Sequence, residues 1–224
     1  MESIVVSIGG SVILSEKCKP GFLSDLSVLL RELSRTYKMF VVTGGGRIAR
    51  DIIDVGRGNG LNEEELDTLG IDATRMNAKL LLYLLGEKKP NIPVSVDEAS
   101  KITSRIVVMG GTTPGHSTDM VSAELAETVK ASRFVNATNV DGVYDKDPRK
   151  YKDAKKIERI NVDELIERYG TDWSTAGAHA VIDPPSLKII KRAGIPTFIV
   201  NGEKLDQLEK AIKGLPFNGT IIEV

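Results

Sequence analysis

Short apolar runs that are too continuous for a one-sided sheet, separated by stretches of helical periodicity, leave this chain few folds to adopt. Ile4–Ile8, Met39–Thr43, Pro93–Val96, Arg105–Met109, Phe134–Thr138 and Thr197–Val200 read as strands. Several are apolar on successive residues, which predicts helices on both faces of the sheet. Between them, Leu26, Leu29, Leu30 and Leu33 form an i, i+3, i+4, i+7 stripe, and Ile48, Ile52 and Val55 form another. Asn62–Leu85 opens with a capping asparagine and three glutamates, which suit a helix N-terminus. Asp119–Ala131 and Val162–Tyr169 are helical in pattern; Pro185 suits a first helical turn and Gly194 a stop. A last strand, Thr220–Val224, follows the turn signal Asn218-Gly219. Such alternation predicts an α/β fold with a mostly parallel sheet between helix layers. No linker, repeat or low-complexity tract interrupts it, so residues 1–224 read as one domain.

Composition narrows the function classes. With 30 basic against 31 acidic residues the formal charge is −1, so no basic excess points to nucleic acid. One cysteine, Cys18, allows neither an intrachain disulfide nor a Cys-rich metal site. The N-terminus lacks a signal-peptide pattern, and no apolar run approaches a membrane span. The expectation is a cytoplasmic protein without a membrane partner.

Glycines cluster where strands end. Ile8 runs into Gly9-Gly10, Thr43 into Gly44-Gly45-Gly46, and Met109 into Gly110-Gly111. Ligands of open α/β sheets bind at the carboxyl ends of the strands. Three glycine turns at one edge would make a floor of exposed backbone N–H groups suited to phosphate. Arg47 and Arg50 follow the triple glycine at helical spacing, and a guanidinium can fork onto phosphate oxygens. No Gly-Lys dipeptide occurs, which excludes a Walker A loop. "GGGRIA" fits the dinucleotide pattern, but the acidic residue expected some way on, Asp67, lies in a helix-like stretch rather than ending a strand.

"GGTTPGHSTDMVSAELAE" supplies Thr112, Thr113, Ser117 and Thr118 around a Pro114-Gly115 turn, with Asp119 opening a helix. Hydroxyls, N–H groups and the helix dipole could hold a phosphate there; capping uses the same geometry. His116 reads as a binding or structural residue, because phosphoryl transfer to an anionic acceptor needs no general base. His179 has less support still. "ATNVDGVYDKDP" carries Thr138, Asn139, Asp141, Tyr144 and Asp147 after a strand, and Tyr144 could cover a flat ring. On spacing alone it could equally be a surface loop.

With these residues in view, the sequence resembles the amino acid kinase superfamily and, within it, the archaeal-type uridylate kinases. "SIGGS", "VVTGGGRIARD", "GIDATRMNAKLL", "GGTTPGHSTD", "ATNVDGVYDKDP", "VIDPPSLKIIKRAGI" and "NGTIIEV" carry the resemblance in family order. It implies a three-layer αβα sandwich and transfer of the γ-phosphate of MgATP to UMP, in homohexamers built from dimers. It implies that Gly9, Gly10, Gly46 and Arg50 face ATP phosphates. Thr138, Asn139, Tyr144 and Asp147 would form the ATP nucleoside pocket. Gly45 would approach the UMP phosphate and Asp67 the uridine ribose. Thr113, Pro114, Gly115, His116, Ser117, Thr118 and Asp119 would enclose the UMP phosphate. Asp119 would organise the reacting groups, and Lys188 matches a lysine that partners the γ-phosphate. Many superfamily members carry lysine two residues before the first Gly-Gly; here that position is Ser7. Positive charge must then come from Arg50, Lys188 and Mg²⁺. The archaeal-type branch also lacks that lysine. The alternatives are another small-molecule kinase of this fold, a nucleotide-binding sensor without chemistry, and a nicotinamide oxidoreductase.

Overall fold

A computed structural model describes residues 1–14, 21–148, 150–172 and 181–224; Cys18 and His179 lie outside them. The strands are β1 (Ser3–Ile8), β2 (Lys38–Thr43), β3 (Ile106–Met109), β4 (Arg133–Thr138), β5 (Val143–Tyr144), β6 (Lys156–Ile157), β7 (Arg159–Asn161), β8 (Thr197–Asn201) and β9 (Gly219–Glu223). The helices are α1 (Gly10–Ile13), α2 (Phe22–Leu33), α3 (Gly46–Gly58), α4 (Glu63–Leu84), α5 (Val96–Lys101), α6 (Thr118–Thr128), α7 (Val162–Tyr169), α8 (Pro184–Ala193) and α9 (Leu205–Lys213). Seven strands form one sheet in the order β3-β2-β1-β4-β8-β9-β7, and β5 and β6 form a separate antiparallel pair. Every pairing in the large sheet is parallel except β8 with β9.

Alternate strand residues feed two cores. Val5, Phe40, Val42, Met109, Phe134 and Ile199 pack on one face with α5, α6, α7 and α8. Ile4, Val6, Met39, Val41, Val135 and Val200 pack on the other with α2, α9 and the second half of α4. A sheet buried on both faces is what the continuous apolar strands require.

The local signals act as their chemistry dictates. Asn62 accepts from the Glu65 N–H while Glu65 accepts from the Asn62 N–H, a reciprocal cap that opens α4. Gly194 closes α8 in a left-handed conformation. One expectation fails. Pro93–Val96 is not a strand: Ser95 accepts from the Glu98 N–H and starts helix α5 instead. The stripe Ile48, Ile52 and Val55 does form on α3, but it faces outward, 37%, 41% and 65% exposed. The helix rests on the small residues Gly46, Ala49 and Gly56, which allow close approach.

Candidate active site

Parallel register brings the glycine turns together. Ile8 pairs with Thr43 and with Ala137, and Val42 with Met109, so all three clusters leave one edge of the sheet. The Gly9 N–H donates to Ala137 O at 2.9 Å and the Gly44 N–H to Ile8 O at 2.9 Å, which carries the sheet pattern into the loops. The triple glycine has a structural reason of its own. A Cβ on Gly10 would collide with the backbone of Gly46, and one on Gly44 with the backbone of Gly10. What these glycines approach first is each other's loop. Gly46 also has φ of +65°, a conformation that favours glycine. Gly110 lies directly against α4, where a Cβ would strike Thr74.

Two pockets flank this floor, because β1 and β2 lie between β3 and β4 in the sheet. On the β4 side is a pocket of about 480 Å³. Thr138, Asn139, Tyr144 and Asp147 all line it, together with Tyr151 and Tyr169, which the sequence reading missed. Asp141 is engaged within the protein: Lys204 Nζ binds its two oxygens at 2.8 and 2.9 Å, and Asn201 Nδ2 donates at 3.0 Å. Burial would raise its carboxyl, but these partners hold it below the usual carboxylate range. The Tyr144 hydroxyl is pushed up by burial and by the charge of Asp141.

On the β3 side is a smaller pocket of about 200 Å³ between α3, α4 and the loop before α6. Asp67, Thr113, Gly115, His116, Ser117 and Thr118 line it. Gly45, Pro114 and Asp119 do not. The Asp67 carboxylate accepts from the Gly115 N–H at 2.6 Å, so it already holds the loop. Ser117 caps α6 by accepting from the Met120 N–H at 3.1 Å. His116 Nδ1 is 3.6 Å from Glu124 Oε1 and makes no hydrogen bond among the described residues.

Asp119 sits beneath the floor, on the face where Ser7 and Asn136 point toward α6. Ser7 Oγ donates to it at 3.1 Å, Asn136 Nδ2 at 3.2 Å and the Asp183 N–H at 3.4 Å. Ser7 therefore meets the carboxylate with a hydroxyl and no charge. Burial, then the neighbouring Asp183 carboxylate, pushes the Asp119 carboxyl up from 3.8 to about 7, against the pull of those three donors. Asp183 is raised as well, mainly by burial, with a hydrogen bond from Ser117 opposing. Among the described residues neither carboxylate has a cationic partner. Asn136 and Asp183 went unread in the sequence because nothing local marks a residue that meets Asp119 across the fold.

The three candidate cations differ in how they are engaged. Arg47 is engaged by Asp51 at 3.2 Å. Arg50, one turn into α3, is exposed and has no ion pair among the described residues. Lys188 is exposed on α8, whose capping residue Asp183 touches Asp119, but its own side chain meets no described residue of the site.

A profile of the amino acid kinase family matches residues 2–201. The uridylate kinase of Methanobrevibacter smithii is 45% identical over 215 residues, covering 94% of this chain and 95% of that one. That of Methanocaldococcus jannaschii is 42% identical over 225 residues, covering 98% and 99%. The crystal structure of uridylate kinase from Archaeoglobus fulgidus superposes with a TM-score of 0.87 at 38% identity, covering 99% of this chain and 100% of the other. The UMP kinase of Bacillus anthracis, at 19% identity with a TM-score of 0.81 over 99% and 96% of the chains, shares the fold.

Proposed function

The chain belongs to the amino acid kinase family, and from that premise we propose that it is a uridylate kinase acting on UMP with ATP as donor. The observation that carries this reading is the pair of pockets on opposite sides of one glycine floor. Phosphoryl transfer is mainly positioning and charge stabilisation, with donor and acceptor phosphates in line. Two nucleotides seated in these pockets would meet phosphate to phosphate over the floor. An oxygen of the UMP phosphate forms a bond to the γ-phosphorus, the bond to the β-phosphate oxygen breaks, and ADP leaves with UDP formed.

In this reading Thr138, Asn139, Tyr144 and Asp147 hold the ATP nucleoside, and Gly9, Gly10, Gly46 and Arg50 its phosphates. Asp67 takes the UMP ribose; Gly45 and residues 113–119 take its phosphate. Asp119 organises the reacting groups, and Lys188 swings onto the γ-phosphate. Mg²⁺ fits the corner below the floor: Asp119 and Asp183 offer hard oxygens that have no cationic partner among the described residues, and this ion pairs one or two carboxylates with substrate phosphates. It would supply positive charge to the transferring group, the charge that no lysine supplies at Ser7. We place the enzyme in the cytoplasm, in pyrimidine nucleotide synthesis, as a one-domain homohexamer. No described helix is long and apolar enough to cross a membrane.

The test is ADP release from MgATP with UMP, dUMP, CMP, AMP, isopentenyl phosphate, carbamate or N-acetylglutamate as acceptor. Strong release with UMP is expected. No release with any acceptor, despite ATP binding, would overturn the reading in favour of a sensor.

A further inference from the structure

Beyond the ligand-facing residues, one helix grips both substrate loops from behind. Asn77, 1% exposed on α4, donates through Nδ2 to Gly44 O at 2.7 Å and Gly45 O at 3.1 Å. Two residues earlier, Arg75 donates through Nε to Gly111 O at 3.1 Å and through Nη2 to Thr112 O at 3.3 Å. Thr74 Oγ1 accepts from the Gly111 N–H at 2.7 Å, and Thr43 Oγ1 at the end of β2 donates to Thr74 O at 2.9 Å.

These bonds decide where N–H groups point. In a trans peptide the N–H points opposite to the C=O of the same unit. Fixing Gly44 O and Gly45 O on Asn77 aims the N–H groups of Gly45 and Gly46 away from α4, to the side where the glycine loops meet. Fixing Gly111 O and Thr112 O on Arg75 likewise aims the N–H groups of Thr112 and Thr113 outward, and Thr113 lines the smaller pocket. Glycine peptides have the greatest freedom to rotate, so a loop of three needs an external anchor to keep its donors aligned.

We propose that Arg75 and Asn77 are positioning residues that orient the backbone donors of the acceptor loop and of the triple glycine, tying both phosphates to one rigid helix. This rests on the site assignment above. Among the described residues the Arg75 side chain hydrogen-bonds only the acceptor loop, whereas Asn77 hydrogen-bonds the loop shared by both nucleotides, so their variants separate.

The experiment measures kcat, both KM values and the melting temperature for Arg75→Lys, Arg75→Met, Asn77→Asp and the control Arg50→Ala. Arg75→Lys and Arg75→Met should raise the UMP KM by about tenfold or more, with the ATP KM within about twofold and melting little changed. Asn77→Asp replaces the amide donor with a carboxylate oxygen facing two carbonyls, at nearly constant shape, and should lower kcat by more than about tenfold. Should Asn77→Asp fail to fold, the Arg75 pair alone decides the matter. An unchanged UMP KM in both Arg75 variants, or equal shifts in both KM values that follow lost thermal stability, overturns the proposal while a slowed Arg50→Ala leaves the site assignment standing. A fully active Arg50→Ala takes down the site assignment and the proposal with it.

Discussion

Asp119 is a carboxylate held where a carboxylate is costly, and its partners say why. The sequence marks it as a helix-opening acid after a hydroxyl-rich loop. It marks Ser7 only as the place where a lysine is missing. In the fold these two meet, since the Ser7 hydroxyl donates to the Asp119 carboxylate. Folding raises the Asp119 carboxyl from 3.8 to about 7, so between those values the folded chain binds a proton that the unfolded chain releases. Stability from this group is therefore greatest at low pH and declines as pH rises toward 7. The lowered carboxyls of Glu127 and Asp141 act in the opposite sense, but their effect is nearly complete by about pH 5.5. Without nucleotide or Mg²⁺, the melting temperature should fall between about pH 5 and pH 8, and Asp119→Asn should flatten that slope. Parallel slopes in variant and parent would refute the account. Arg50 makes the companion case. Among the described residues it pairs with no carboxylate, whereas Arg47 is engaged by Asp51. Arg50→Ala should lower kcat by more than tenfold, about 1.4 kcal/mol of transition-state stabilisation, while Arg47→Ala should cost far less. Steady-state rates of the two variants decide between them.

Elements were legible where a period repeats and opaque where it does not. Five of the six internal strand runs form strands because their burial on both faces writes a continuous apolar signature. Pro93–Val96 carries the same apolar character, but Ser95 and Glu98 are a helix start, and capping wins over a short run. The two- and three-residue strands β5, β6 and β7 are too short to show any period. The glycine loops are the instructive case. Their position at the sheet edge could be read from sequence, but not the fact that they pack on each other, which depends on the β1–β2 register. That packing yields a test free of ligand. Gly10→Ala would drive a Cβ into the backbone of Gly46, and such overpacking costs about 1–3 kcal/mol. Gly58→Ala meets nothing within 4 Å, and at a helical site it should stabilise by up to about 1 kcal/mol. Urea midpoints that moved alike for both would contradict the loop-on-loop reading. By the same geometry Gly45→Val is a poor probe of UMP binding, since its Cβ would strike Ala49 within α3.

At the scale of the molecule, alternation of strand and helix implied a parallel sheet but could not order it. The order matters most for function, because it is the placement of β1 and β2 between β3 and β4 that sets one pocket on each side of the floor. The antiparallel β9 was equally invisible, since pairing direction leaves no mark on residue pattern. One surface feature asks for a partner at this scale. Amphipathic helices normally bury their apolar stripe, yet α3 turns Ile48, Ile52 and Val55 outward and sits on small residues instead. On α4, Met76, Leu80 and Tyr83 are exposed at the same i, i+4, i+7 spacing. By contrast Leu81, next to Leu80 on the same helix, is fully buried. A stripe on a helix can meet its own copy across a two-fold axis, where residue i contacts residue j and j contacts i. If the α3 stripe closes such a dimer within the proposed hexamer, Ile52→Asp with Val55→Glu should place repelling charges on both copies at once. Light scattering after gel filtration should then fall toward the 24.3 kDa of one chain, with the fold retained by circular dichroism. A variant keeping the parent's mass would move the interface to another face, with the α4 stripe the next to substitute.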